Sequence, residues 1–349
     1  FFSGYKSLHL FFLSMTQKAV LLIVGTGEVL PHVESIVLPA VKDHFAEIAI
    51  GCDFAAFEPL LAKYDHFVLA CGFAVPNLRQ LTSDIIAKSP RAKPVWIHAF
   101  SAGVGHLTTA EAKNCGAPVT NAKGCFSQSL AEFVLFGCMY FDKEVTRLQA
   151  SREAAKWERY LMGELTFQTM GIIGYGSIGQ TTGTLAKAFQ MEVLAYRRSA
   201  GGATSDGVAE MCPGEEGLNR LLRDSDFVVA AMPDTPETYH FINAERIAKM
   251  KPTAVFVNVG RGTCVDEAAL YDALKNKRIR GAALDVFEKE PLMSDSPLWT
   301  LDNILMSPHI ADNTKTYYSA TLQKFVRLVQ DYYIPGKPFK ELVDLEKGY

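Results

Sequence analysis

The sequence predicts an α/β fold built from doubly wound parallel sheets. Two observations predict it. From Ala19 onward, short apolar runs of strand length alternate with amphipathic stretches of helix length. The alternation then pauses at one long helical pattern, residues 127–157, and restarts more strongly. A chain of 349 residues has room for two such domains, each with a buried core.

In the first half the strand candidates are residues 20–24, 48–50, 67–70, 95–99 and 118–120, with amphipathic stretches at 77–87 and 108–114. Residues 127–157 place aromatic and aliphatic side chains at helical spacing and read as one long core or interdomain helix. Beyond it come 169–173, 192–196, 227–231, 254–258, 281–286 and 303–306, which are six strands, the number of a full dinucleotide-binding sheet. A last helix over about 316–333 leads into a polar tail.

Composition narrows the class. Apolar residues make up 48% and charged residues 21%, the balance of an ordinary globular protein. A net charge of −3 argues against nucleic acid or an anionic membrane as partner. The seven cysteines are scattered, with no C-x-x-C pair and no zinc-like Cys/His spacing. They read as reduced thiols, so no metal is expected and a cytoplasmic setting is. No apolar run approaches the roughly 18 residues of a membrane span. Residues 1–14 precede Met15 and the first clean strand pattern, and read as leader, added sequence or a targeting fragment, with Met15 as the natural start.

The stretch Gly171-Ile172-Ile173-Gly174-Tyr175-Gly176-Ser177-Ile178-Gly179 contains G-x-G-x-x-G. It follows an apolar strand and opens a proline-free helical pattern over 178–189, the context that this motif requires. Gly174 is expected to make the tight turn, Gly176 to let the backbone approach a pyrophosphate, and Gly179 to pack helix on strand. The helix N-terminus then offers N–H donors and a positive dipole end to the phosphates.

About eighteen residues after the turn, where an acid usually binds the ribose of NAD, stand Arg197-Arg198-Ser199. Two guanidinium groups and a hydroxyl suit a 2′-phosphate, so NADP is predicted over NAD.

Three further stretches lie at predicted strand ends: Asn258-Val259-Gly260-Arg261-Gly262, Leu284-Asp285-Val286-Phe287-Glu288-Lys289-Glu290-Pro291 and Ser307-Pro308-His309-Ile310. In an open α/β sheet these ends face the ligand crevice. Together an arginine, a carboxylate and a histidine suit a 2-oxo acid, which needs a bidentate cation, a proton donor and a hydride at its carbonyl carbon. A carboxylate beside the imidazole favours its protonated, donating form.

These motifs, with Trp96-Ile97-His98-Ala99-Phe100-Ser101-Ala102-Gly103-Val104, Met232-Pro233-Asp234-Thr235-Pro236-Glu237-Thr238 and Met250-Lys251-Pro252, resemble the D-isomer-specific 2-hydroxyacid dehydrogenase family. That family contains glyoxylate/hydroxypyruvate reductases and phosphoglycerate dehydrogenases. The resemblance implies a Rossmann dinucleotide-binding domain (125–312) inserted into a flavodoxin-like substrate domain (15–124 and the returning 313–349). It also implies a homodimer joined mainly through the Rossmann domains, with a crevice that closes on substrate. His309 matches the proton-donating histidine, Glu290 its partner glutamate, and Arg261 the substrate-binding arginine. Asp285 matches an acid that holds the nicotinamide carboxamide, and Ala102 and Gly103 match a loop whose N–H groups hold the substrate carboxylate. Tyr175, Ser177, Ile178, Pro233 and Val259 complete the implied coenzyme contacts. Two positions depart from the pattern: Gly105 replaces an aspartate, and Gln190 a glycine at a helix end.

The sequence thus predicts an NADPH-preferring reductase of a small 2-oxo acid, glyoxylate or hydroxypyruvate first. The alternatives are an NAD-linked phosphoglycerate-type dehydrogenase and a dinucleotide-sensing interaction protein like the family's corepressors.

Overall fold

The computed structural model describes residues 18–73, 75–198 and 208–348. The expectations at residues 1–14, Met15 and Ser199 therefore lie outside the described residues. The chain divides into two compact units: the part up to Cys125 together with Lys315 onward, and Phe126–Thr314.

The first unit holds β1 (Val20–Val24), β2 (Ile48–Gly51), β3 (His66–Cys71), β4 (Lys93–Ala99) and β5 (Val119–Asn121). They pair in parallel in the order β2-β1-β3-β4-β5, which is the flavodoxin-like order. All five residues of β1 are buried, which is why its sequence is a continuous aliphatic run and not an alternation. Full burial of each such side chain contributes roughly 1.5–3 kcal/mol. The C-terminal helix Tyr317–Leu328 covers the same sheet, stacking Phe325 on buried Trp96 at a centroid distance of 5.2 Å.

The second unit holds β6 (Thr169–Ile173), β7 (Glu192–Tyr196), β8 (Glu210–Met211), β9 (Phe227–Ala230), β10 (Val255–Asn258), β11 (Gly281–Leu284) and β12 (Ile304–Met306). All pair in parallel, in the order β12-β11-β10-β9-β6-β7-β8. Counted from β6, that is the 3-2-1-4-5-6 order of a dinucleotide-binding sheet with one further strand. The winding reverses between β6 and β9, so the loops that leave these two strands flank the switch point. Such a point is where this class of sheet binds its ligand.

Two expectations are corrected. Among the described residues the sheet has seven strands, not six, because the two-residue β8 adds beside β7. The pattern at 127–157 is not one helix. Ser127–Asp142 ends where Glu144 takes a left-handed backbone (φ 50°), and Val145–Glu153 follows as a separate helix with no buried residue. The first helix is the core element: at Gly137 a Cβ would stand 2.8 Å from the Ala283 Cβ on β11. The long pattern breaks because only its first half has a sheet to pack against. Among the described residues no helix is long and apolar enough to cross a membrane.

Candidate active site

The glycine turn leaves β6 at Gly174, whose φ of +97° favours glycine and whose Cβ would lie 2.6 Å from the Ala231 carbonyl oxygen. At Gly179 a Cβ would meet the Gly174 carbonyl oxygen at 2.6 Å, so helix and strand close on each other there. Gly176 is the opposite case. Nothing lies within 4 Å of its absent Cβ, and it is the N-cap of the helix Ser177–Ala188 with no side chain capping it. An open, uncapped helix N-terminus at a switch point fits the pyrophosphate of a dinucleotide. Tyr175 is buried, while Ser177 and Ile178 open the helix.

Arg197 and Arg198 directly follow β7, the first half-buried and the second exposed. Arg198 Nη1 lies 3.6 Å from Glu237 Oε2. Pro233 follows β9, and its carbonyl accepts the Thr238 hydroxyl at 2.7 Å. Val259 is buried and ties to β9 by its N–H to the Ala230 carbonyl at 3.1 Å.

Arg261 stands on a turn built by Asn258, which is 1% exposed. The Asn258 side chain accepts the Gly260 N–H at 3.0 Å and donates to the Arg261 carbonyl at 3.1 Å. At Gly262 any side chain would overlap the Phe287 backbone. The turn is thus pressed against the segment that carries Glu290, and the half-buried Arg261 guanidinium folds back on the Gly260 carbonyl at 2.7 Å.

His309 follows β12 with a left-handed backbone, φ 55°. Its Nδ1 is 2.7 Å from Glu290 Oε2. The other oxygen, Glu290 Oε1, accepts the Phe287 N–H at 3.0 Å, so the carboxylate is held at both ends. Asp285, 1% exposed, completes the frame. Its carbonyl accepts the His309 N–H at 2.8 Å, and its Oδ1 accepts the N–H groups of Ile310 and Ala311 at 3.0 and 3.1 Å.

Sequence reasoning missed Asp312, three residues past His309. Burial pushes its carboxyl above the ordinary value, with His309 and Arg261 opposing and Asp285 adding to the rise. The same electrostatic neighbourhood therefore contains His309, Arg261, Asp285 and Asp312. Ala102 and Gly103 belong to the first unit, just beyond β4, where the Ala102 carbonyl accepts Asn121 Nδ2 at 2.7 Å and the Gly103 carbonyl accepts the Ser101 hydroxyl at 2.7 Å. Among the described residues no cluster of His, Cys, Asp and Glu suits a metal.

Residues 136–311 match the family model described as D-isomer specific 2-hydroxyacid dehydrogenase, NAD binding domain. A D-3-phosphoglycerate dehydrogenase of Methanocaldococcus jannaschii is 38% identical over 240 residues, 68% of this chain but only 44% of that protein's length. A glyoxylate reductase of Pyrococcus furiosus is 36% identical over 244 residues, 67% of this chain and 71% of that protein. The structure of an NADPH-dependent glyoxylate/hydroxypyruvate reductase from Sinorhizobium meliloti, in complex with NADP and sulfate, superposes with a TM-score of 0.77 at 25% identity, covering 95% of this chain and all of that one. By its sheet order, its site and these likenesses, the chain belongs to the D-isomer specific 2-hydroxyacid dehydrogenase family, whose members depend on NAD(P).

Proposed function

We propose that the protein reduces a small 2-oxo acid, glyoxylate or hydroxypyruvate, to the D-2-hydroxy acid with NADPH. The observation that carries this reading is the 2.7 Å contact between His309 Nδ1 and Glu290 Oε2. Glu290 stabilises the doubly protonated imidazole and fixes its plane, which leaves Nε2 to give its proton to the substrate oxygen. Arg261 binds the substrate carboxylate and offsets the negative charge that grows on that oxygen. The coenzyme, when bound, supplies the hydride to the carbonyl carbon. The uncapped turn at Gly174, Gly176 and Gly179 would hold its pyrophosphate, and Asp285 its carboxamide end.

Arg197 and Arg198 support NADPH over NADH, as does the coenzyme of the Sinorhizobium reductase. We assign the second unit to coenzyme binding and the first to substrate binding, with the N–H groups of Ala102 and Gly103 on the carboxylate. Trp157, Leu161 and Phe167 are 94%, 98% and 80% exposed on the second unit, and such exposed apolar side chains support a homodimer. All seven cysteines are free thiols, which suits the cytoplasm. The likeness to a phosphoglycerate dehydrogenase favours one second reading, an NAD-linked enzyme for a phosphorylated substrate.

Initial rates with glyoxylate, hydroxypyruvate, pyruvate, phenylpyruvate and 3-phosphohydroxypyruvate, each with NADPH and NADH, test these readings. Highest kcat/KM for one of the first two with NADPH is expected. A clear preference for the phosphorylated acid with NADH replaces the proposal with the second reading. Sedimentation of the chain and of Leu161→Glu tests the dimer, which the charge is expected to split.

A further inference from the structure

We propose that His240 is a positioning residue for this reaction, strapping the loop that carries Arg261 to the loop that carries Glu290. The inference rests on the 2-oxo acid reductase reading, because it assigns His240 a role through the two groups that bind and protonate the substrate.

His240 lies in the loop after β9, outside every strand and helix of the sheet. Its backbone is left-handed, φ 48°, an uncommon conformation for a residue with a side chain. In that conformation its N–H donates to the Thr263 carbonyl at 2.9 Å, two residues beyond Arg261. Its side chain reaches the other loop: Nε2 lies 2.7 Å from Glu288 Oε1, two residues before Glu290. The neighbouring Tyr239 ring stacks on the imidazole at 4.0 Å with an interplanar angle of 12°, and its hydroxyl donates to the same Glu288 oxygen at 3.3 Å. The Glu288 N–H in turn donates to Glu267 Oε2 at 3.1 Å, which fixes the loop from its far side.

One residue therefore grips two loops that leave different strands, β10 and β11. These loops meet where the Gly262 backbone presses on Phe287. Glu290 Oε1 is itself bonded to the Phe287 N–H, so a shift of that segment moves the carboxylate that orients His309. The strap is not part of the core, since the His240 and Glu288 side chains keep 31% and 32% of their surface exposed. A fold-stabilising role alone gives no reason for this placement. A displacement of about 1 Å between substrate-binding and proton-donating groups costs on the order of 10²-fold in rate.

The test uses the full chain with His240→Ala, His240→Gln and Glu288→Gln. With hydroxypyruvate and NADPH, His240→Ala is expected to lower kcat and raise KM for the oxo acid, a loss of roughly 10- to 100-fold in kcat/KM. NADPH affinity, measured by fluorescence titration, stays unchanged. His240→Gln, whose amide N–H reaches the same carboxylate, recovers most of the loss. Backbone hydrogen exchange gives a readout independent of turnover: in His240→Ala, residues 261–264 and 287–290 are expected to speed up together while β6 and β9 keep their protection. Equal losses for alanine and glutamine, or faster exchange confined to residues 238–242, would overturn the strap. A wild-type chain that reduces no 2-oxo acid overturns the reductase reading instead, and the exchange result then still decides whether the two loops are strapped.

Discussion

Glu290 holds His309 with one carboxylate oxygen, Oε2 at 2.7 Å from Nδ1, while its other oxygen takes the Phe287 N–H at 3.0 Å. The carboxylate is thereby tied to the backbone after β11 as well as to the ring, so that backbone helps to set the ring orientation. His309→Ala is expected to lower kcat by roughly 10²–10⁴-fold, the range of a lost general acid, with coenzyme affinity intact. Glu290→Gln keeps an oxygen for Phe287 but sets an amide N–H against Nδ1, so the doubly protonated ring loses its acceptor and kcat falls less steeply. Steady-state kinetics beside a coenzyme titration check both. Ample turnover in His309→Ala removes the histidine from its role.

Asp285 acts on the same ring through the backbone. Two N–H groups past His309 and the histidine's own N–H all end on Asp285, two on its carboxylate and one on its carbonyl. Asp285→Ala leaves the Ile310 and Ala311 N–H groups without their acceptor, and a hydrogen bond to a charged group is worth roughly 1.5–3 kcal/mol. Lower urea resistance and a fall in kcat are therefore expected together. Asp285→Asn retains an amide oxygen for both donors and is expected to keep stability. Its coenzyme affinity then reads out the carboxamide role separately. An alanine variant with normal kcat and weakened coenzyme binding alone would show that the carboxylate serves only the coenzyme.

Arg197 and Arg198 are expected to discriminate the two coenzymes. Replacing both with alanine removes charge-assisted donors to a 2′-phosphate, worth roughly 1.5–3 kcal/mol each, so KM for NADPH is expected to rise strongly and KM for NADH little. Arg198 already faces Glu237 at 3.6 Å, and a phosphate must share it or displace that carboxylate. Glu237→Gln is accordingly expected to lower KM for NADPH. Equal effects of the double variant on both coenzymes would defeat the phosphate-site assignment.

Much of both sheets is legible in the sequence because parallel strands covered on both faces are uninterrupted apolar runs, as in Val20–Val24 and Phe227–Ala230. Gly174, Arg261 and His309 are legible because each stands within three residues of a predicted strand end, and Glu290, six residues past β11, through the resemblance that its motif carries. The break after Asp142 is not legible, since Glu144 carries none of the residue types that announce a left-handed turn. Two-residue β8 is too short to show a period. Asp285 reads as a coenzyme contact by resemblance, yet its hold on Ile310 and Ala311 depends on where β12 delivers the chain. His240 and Glu288 meet only after folding brings two loops together. Gln190 does adopt the left-handed backbone, φ 60°, where glycine is the unstrained choice, at a cost of about 1 kcal/mol.

Two histidines make the first unit acid-sensitive. His98 is fully buried on β4, with Nδ1 2.8 Å from the Thr120 hydroxyl, which also accepts Trp96 Nε1–H at 2.9 Å. Burial pushes its pKa down from 6.5 to about 3, helped by the charge of Lys324. Burial likewise lowers His106, beside Cys71, to about 4. Both depressions mean that the unfolded chain takes up protons below pH 6.5 that the folded unit refuses. Stability is therefore greatest above pH 6.5 and falls as pH drops, each histidine contributing about 1.4 kcal/mol per pH unit until its folded value is reached. At pH 5 the loss from His98 alone is about 2 kcal/mol. Urea unfolding followed by the fluorescence of Trp96, buried 5.9 Å from the His98 ring, checks this at pH 7 and pH 5. His98→Asn removes one titrating group, so the variant starts less stable at pH 7 but loses less between the two pH values. An unchanged difference would mean that the imidazole takes up its proton as readily in the folded unit as in the unfolded chain.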